Sequence, residues 1–169
     1  MKKLKTVDHI KVKKGMSVAE LVEGFQKAGV MGAGKIGKAV DILKKMTSEK
    51  NCTVFFGIAG AMVPGGQKQV IIDMIRSRKI HVMVTTGAML THDLVEALGY
   101  RHYTHEGEKF NDAELRKQKL DRMYDSLMPD TVYEGLEDFI VKNFGVFSKC
   151  KSIKDLLMEI GRLIWTLEV

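Results

Sequence analysis

The sequence predicts an α/β fold built on a parallel sheet, incomplete in this chain and extended by helices at both ends. Three observations carry that expectation. Two continuously apolar, β-rich runs, "CTVFFGIAG" (52–60) and "KIHVMVTT" (79–86), read as strands covered on both faces. Each is followed by a turn of small residues and then by residues apolar at helical spacing. The resulting strand–helix–strand–helix order requires parallel strands with right-handed crossovers.

The elements follow in chain order. Ser17 is a good N-cap, and Glu20 three positions on completes a capping box. Val18, Leu21, Val22 and Phe25 then run at helical spacing, and the helix stops near Gly29. The spacing predicts a Gly-rich turn over "GVMGAGKIG" (29–37) and a second helix from Lys35 to Met46. After the first strand, "AMVPGG" makes the turn into a helix from Gly66 to Ile75. After the second strand, Thr91 is expected to cap a helix through Leu98. A polar loop is expected over 100–112, then short helices at 112–119, 122–127 and 131–143. The last segment, 152–167, reads as a strongly amphipathic helix with Ile153, Leu156, Leu157, Ile160, Leu163, Ile164 and Leu167 on one face.

Two buried strands are few, since sheets average about five or six. Either the domain is unusually helical or the rest of the sheet comes from another chain. With 169 residues, 45% hydrophobic and 28% charged, the chain reads as one globular domain, 1–169. The net charge of +6 owes much to a basic arm, 1–14, holding Lys2, Lys3, Lys5, Lys11, Lys13 and Lys14. Such a run is usually solvated, and without a nucleic-acid motif no nucleic-acid partner is expected. Cys52 and Cys150 lack metal-ligand spacing, so no metal is expected and a reducing cytoplasm fits. No signal peptide or bilayer-length apolar run is read, so no membrane association is expected.

In open parallel sheets, ligands bind beyond the carboxyl ends of the strands. Two turns leave such ends, "GIAGAMVPGG" (57–66) and "TTGAMLTHD" (85–93). Their small residues allow close backbone approach, and both lead into helix N-termini, which favour phosphate. Tight strand–helix packing is the plain alternative. His92 and Asp93 are expected in the first turn of a helix at the mouth. There His92 serves as a hydrogen-bonding or acid–base group, or is merely exposed while Asp93 complements the helix dipole. "RHYTHEGE" (101–108) clusters His102, His105, Glu106 and Glu108, but its spacing matches no standard zinc pattern. No Ser-His-Asp or Cys-His set and no P-loop is readable.

Residues 52–99, "CTVFFGIAGAMVPGGQKQVIIDMIRSRKIHVMVTTGAMLTHDLVEALG", resemble the deoxyhypusine synthase family. Upstream, "LVEGFQKAGVMGAGKIGKAVDIL" (21–43) is similar to the family's N-terminal helices. Downstream, "LRKQKLDRMYDSLMPDTVYEGLEDFI" (115–140) is similar to its insertion with an arginine and a proline ahead of an acidic-aromatic helix. The resemblance implies a Rossmann-like three-layer fold that binds NAD. It implies oxidation of spermidine and transfer of its aminobutyl group, through an enzyme lysine, to a lysine of a translation factor. It also implies a cytoplasmic oligomer with sites between subunits.

By position, the resemblance implies that Gly57, Ala59, Gly60, Ala61 and Met62 line one NAD-contacting turn. Thr85, Thr86, Gly87 and Ala88 line the other, with Asp93 beside them, while Thr91 and His92 meet the substrate. Two departures stand out. Gly60-Ala61 and Thr91-His92 replace polar and acidic residues, as in a prokaryotic branch of the family. The family's Gly-rich lysine segment has no counterpart, so no catalytic residue is expected in this chain. The expected function is therefore that of an N-terminal half needing a complementary C-terminal half. The alternative is a catalytically inactive paralogue that regulates or pairs with a full-length homologue.

Overall fold

Ser17 and Glu20 exchange the hydrogen bonds that start the first helix. The Ser17 hydroxyl accepts from the Glu20 amide at 3.2 Å, and the Glu20 carboxylate accepts from the Ser17 amide at 2.7 Å. The Ser17 amide and then the Ser17 hydroxyl, both donating to that carboxylate, hold the Glu20 carboxyl below its usual range. Helix α1 (Val18–Ala28) ends at Gly29, whose φ of 68° is the left-handed conformation that glycine adopts without strain. The computed structural model describes residues 4–105 and 110–167. They form two compact units: Met1–Phe55 with Lys79–Val82, and Phe56–Arg78 with Met83–Val169.

In the first unit, α2 (Met31–Ser48) begins four residues earlier than expected, and the predicted turn over 29–37 shrinks to its first two residues. The glycines serve helix contact instead. A Cβ on buried Gly37 would lie 2.5 Å from the Gln26 Cα, so α1 and α2 approach closely there. The arm before Ser17 is largely exposed, but Ile10 is half-buried against Gly24. Val54 is buried; its amide donates to His81 Nδ1 at 3.0 Å, and its carbonyl accepts from the His81 and Val82 amides.

The second unit carries most of β1 (Phe55–Ile58) and β2 (Val82–Thr85), a parallel two-stranded sheet. Helix α3 (Lys68–Arg76) connects them and α4 (Gly87–Ala97) follows. Ile58, Val63, Ile71 and Met89 bury one another, with Phe56 alongside. A second cluster joins α4 to α6 (Thr131–Lys142) through Val95, Val132, Leu136 and Met128.

Met128 belongs to a small antiparallel sheet of β3 (Tyr103–Thr104), β4 (Leu120–Met123) and β5 (Ser126–Pro129), in the order β3-β5-β4. This sheet corrects two expectations. The polar loop over 100–112 contains β3, while Glu106 and Glu108 lie outside the described residues. The predicted helix over 122–127 is a hairpin pairing Arg122 with Leu127 and Met123 with Ser126. Tyr124 makes its turn with φ 57°, which a helix cannot contain. Arg122 is fixed by a two-pronged bond to Asp112, at 2.7 and 2.9 Å, which holds the Asp112 carboxyl below its usual range.

Helix α5 (Asp112–Lys117) is capped by the Asn111 side chain, and α7 (Phe144–Phe147) is a single turn. The last helix, α8 (Ile153–Trp165), is capped by Ser152 but buries no residue; Ile153 and Trp165 are each 70% exposed. The two strands of the parallel sheet are likewise not covered on both faces, with Phe55 and Val82 to Val84 exposed.

Candidate functional site

The first turn leaves β1 at Ile58 and closes on itself within nine residues. Gly65 donates to the Ala61 carbonyl, Gly66 to that of Val63 and Gln67 to that of Met62, each at 2.9 Å. Gly60, at φ 82°, turns the chain in the left-handed region, and a Cβ at Gly57 or Gly60 would meet open space. Close helix packing therefore does not explain these two glycines. Gly57, Ala59, Gly60 and Met62 are exposed and Ala61 is half-buried.

The second turn is shorter than expected. Thr86, not Thr91, caps α4: it is extended at φ −102°, ψ 157°, and its hydroxyl accepts from the Met89 amide at 3.4 Å. Gly87 and Ala88 thus form the helix's exposed first turn, and Thr91, His92 and Asp93 fall in its second. Thr91 spends its hydroxyl on the Gly87 carbonyl at 3.1 Å. The half-buried Thr85, last residue of β2, has a buried hydroxyl with no partner among the described residues. Because β1 and β2 run parallel, both turns leave the same end of the sheet.

Shifting the cap changes what His92 does. Met89, His92 and Val95 recur every third position and form the buried face of α4. His92 is only 8% exposed, so it is neither at an open mouth nor a loose surface group. Its Nδ1 lies 3.1 Å from His102 Nε2, and His102 Nδ1 lies 2.8 Å from Glu96 Oε1. Lys68, at the start of α3, reaches Asp93 at 2.9 Å and Glu96 Oε2 at 3.5 Å. Burial first, then the neighbouring His102, hold the His92 imidazole below its ordinary pKa, against an opposing pull from Glu96.

Glu96, His102 and Lys68 are the partners that reading the sequence alone did not find. A signal for Glu96 was present: it stands four residues after His92, on the same helical face. His102 was grouped with its neighbours in "RHYTHEGE", yet His105 instead lies against Phe110, with ring centroids 5.0 Å apart. Among the described residues, no group of three or more metal-ligating side chains is gathered for a metal ion. No helix among them is long and apolar enough to cross a membrane.

These features define an α/β protein whose small-residue turns and buried polar chain gather near the carboxyl ends of a parallel sheet. The family model for deoxyhypusine synthase matches residues 20–167. The chain is 42% identical, over 153 residues, to a probable deoxyhypusine synthase of Methanosarcina thermophila, covering 90% of this chain and 48% of that protein. It is 38% identical over 164 residues to another from Methanothermobacter thermautotrophicus, covering 92% of this chain and 51% of that protein. A deoxyhypusine synthase-like protein of Elusimicrobium minutum is 27% identical over 158 residues, which cover 92% of this chain and 42% of that protein. The chain belongs to the deoxyhypusine synthase family, and it spans about half the length of these curated relatives.

Proposed function

We propose that this chain supplies the cofactor-binding half of an NAD-dependent deoxyhypusine synthase-like transferase. Its reaction moves the aminobutyl group of spermidine to a lysine of a translation factor, in the cytoplasm. The family match over 20–167 carries the reading. The catalytic lysine would come from a complementary half, and the working unit would be an oligomer in a single Rossmann-like domain arrangement. The exposed strands β1 and β2 and the unburied α8 support a partner-dependent core.

The residues present suit NAD. The unpartnered Thr85 hydroxyl and the open space beside Gly57, Gly60 and Gly87 are features that a close-lying ligand would use. Gly57, Ala59, Gly60, Ala61 and Met62 would hold it from one turn, and Thr85, Thr86, Gly87 and Ala88 from the other. The free amides at the α4 N-terminus favour phosphate. Asp93 would sit beside these contacts, and Thr91 and His92 would face the substrate. NAD, when bound, supplies a hydride acceptor. The chain's own part is to hold it, orient the amine and take up protons.

One observation favours the second reading, an inactive or regulatory paralogue. Lys68 pairs with both Asp93 and Glu96, so the α4 carboxylates nearest His92 are already engaged by a cation. A polyamine would have to compete for them.

NAD titration of the purified chain, with and without a polypeptide carrying the family's C-terminal half, separates the two readings. The transferase reading expects NAD binding and spermidine-dependent NADH absorbance only when both halves are present. Binding of a full-length homologue with no NADH in any combination would favour the regulatory reading.

A further inference from the structure

Four side chains form a line from α3 to the turn that follows α4. Lys68 reaches one Glu96 oxygen at 3.5 Å. The other Glu96 oxygen lies 2.8 Å from His102 Nδ1, and His102 Nε2 lies 3.1 Å from His92 Nδ1. A carboxylate only accepts, so His102 Nδ1 carries a hydrogen. With both rings neutral, His92 Nδ1 then donates to the bare His102 Nε2. One added proton changes little. Whichever ring takes it, a single hydrogen still fits between the two facing nitrogens. A second added proton puts a hydrogen on both. Two cations whose donors meet at 3.1 Å repel, and the contact cannot survive.

We propose that His92 and His102 form an acid-sensitive latch, which holds through one added proton and opens with the second to free residues 102–104 from α4. The opening is local. Tyr100 stays seated, since its amide donates to the Val95 carbonyl at 3.0 Å and its ring lies over Gly135. Beyond it, β3 pairs Tyr103 with Leu127 and Thr104 with Ser126. Two residue pairs do not hold a strand by themselves, so β3 leaves β5 once the latch opens. The central strand β5 then has one unpaired side. Solvent protons drive the change, with no part for a cofactor or substrate.

The surrounding groups decide which proton is tolerated. From α4 the nearby charges are Glu96 and Asp93, and from α3 Lys68 pairs with both. In the turn, Arg101 spends its guanidinium on the Glu96 and Tyr100 carbonyls, at 3.3 and 2.7 Å. Tyr103 of β3 is exposed. Strand β5 and helix α6 bring Met128, Val132 and Leu136, all apolar, while the α6 phenol of Tyr133 faces Asp121 and Asp130. Glu96 is therefore the carboxylate that meets the first cation, and it serves His102. Among the described residues, no carboxylate bonds to His92. Burial and then His102 hold the His92 imidazole below its ordinary pKa, against Glu96, so His92 receives the second proton.

Proton–nitrogen correlation NMR and amide hydrogen exchange on the 169-residue chain, between about pH 8 and 5, test the latch. The two rings are expected to take up their protons in two separate steps. Across the second step, and not the first, the Tyr103 and Thr104 amides should exchange at least about tenfold faster after correction for the intrinsic effect of pH. The amides of Tyr100 and α6 should keep their protection. Protection at β3 that survives protonation of both rings overturns the proposal, as does its loss together with that of α6. A glutamine side chain can either accept from or donate to His102, so His92→Gln should leave β3 protected over the same range. Opening at the same pH in that variant also overturns the latch. If the variant fails to fold, the wild-type profile decides alone. None of these readouts needs NAD, a polyamine or a second polypeptide, so they stand apart from the transferase reading.

Discussion

β2 and β5 are both four-residue apolar strands, yet they meet opposite fates. Ser126, Leu127 and Met128 of β5 are 9%, 6% and 0% exposed, held between β3 and β4 and against α4 and α6. Val82, Met83 and Val84 of β2 are 36%, 36% and 58% exposed, with β1 as the sole neighbour among the described residues. The apolar sequence of a strand states that it is built to be covered, and says nothing about which chain does the covering. β5 finds its cover locally, whereas β2 does not.

The contrast can be broken most forcefully at Met128. Met128→Ala deletes a side chain with no exposure and is expected to cost about 2–5 kcal/mol, measured by urea unfolding. A loss below that range would mean that the β5 core is as loose as β2. Gly135 is next. A Cβ there would overlap the Tyr100 ring and hydroxyl. Gly135→Ala should therefore cost about 1–3 kcal/mol by overpacking, seen as a lower midpoint in the same experiment.

Tyr124 holds a left-handed φ of 57° at the hairpin tip and is 81% exposed. Tyr124→Gly should relieve that strain, offset by added freedom of the unfolded chain, for a net gain of about 0.5–1 kcal/mol. A loss of stability would show that the ring makes a contact worth more than the backbone strain.

His92 adds a pH slope. Its folded pKa is held below the ordinary value, so the unfolded chain takes up the proton first as pH falls. The stability involved is complete above the unfolded value of about 6.5 and is lost as pH falls from there toward the folded value. Melting temperatures between about pH 8 and 5 should fall on the acid side, and His92→Gln should flatten that part of the curve. Smallest of all, Val84→Thr in the open strand should change stability by no more than about 0.5 kcal/mol. The same change should weaken association with a complementary half if β2 is covered there, a difference that sedimentation velocity can measure.

The sequence made the early part of the molecule easy to read and the later part hard. The capping box at Ser17, the two parallel strands and α3 each carry a local signal, from side-chain hydrogen bonding or apolar runs. The hairpin over 120–129 was misread because its strands are four residues each, too short for alternation to separate from helical spacing. The cap of α4 was misplaced because Thr86 and Thr91 carry the same capping side chain, and nothing local to either separates them. That shift concealed the burial of His92. The partnership with His102 spans the end of α4 and the turn that follows it, and no local pattern reports such a contact.

The parallel sheet has two strands, so among the described residues each has one side with unpaired amides and carbonyls. Val82, Met83 and Val84 carry no charge, proline or bulge to blunt that side. Such an edge is a template for any extended chain, including another copy of itself. Freshly made protein at high concentration should therefore lose material to β-rich aggregates. A lysine introduced on this strand should keep more of it in solution, which makes recovery after expression a direct gauge of how exposed the edge is.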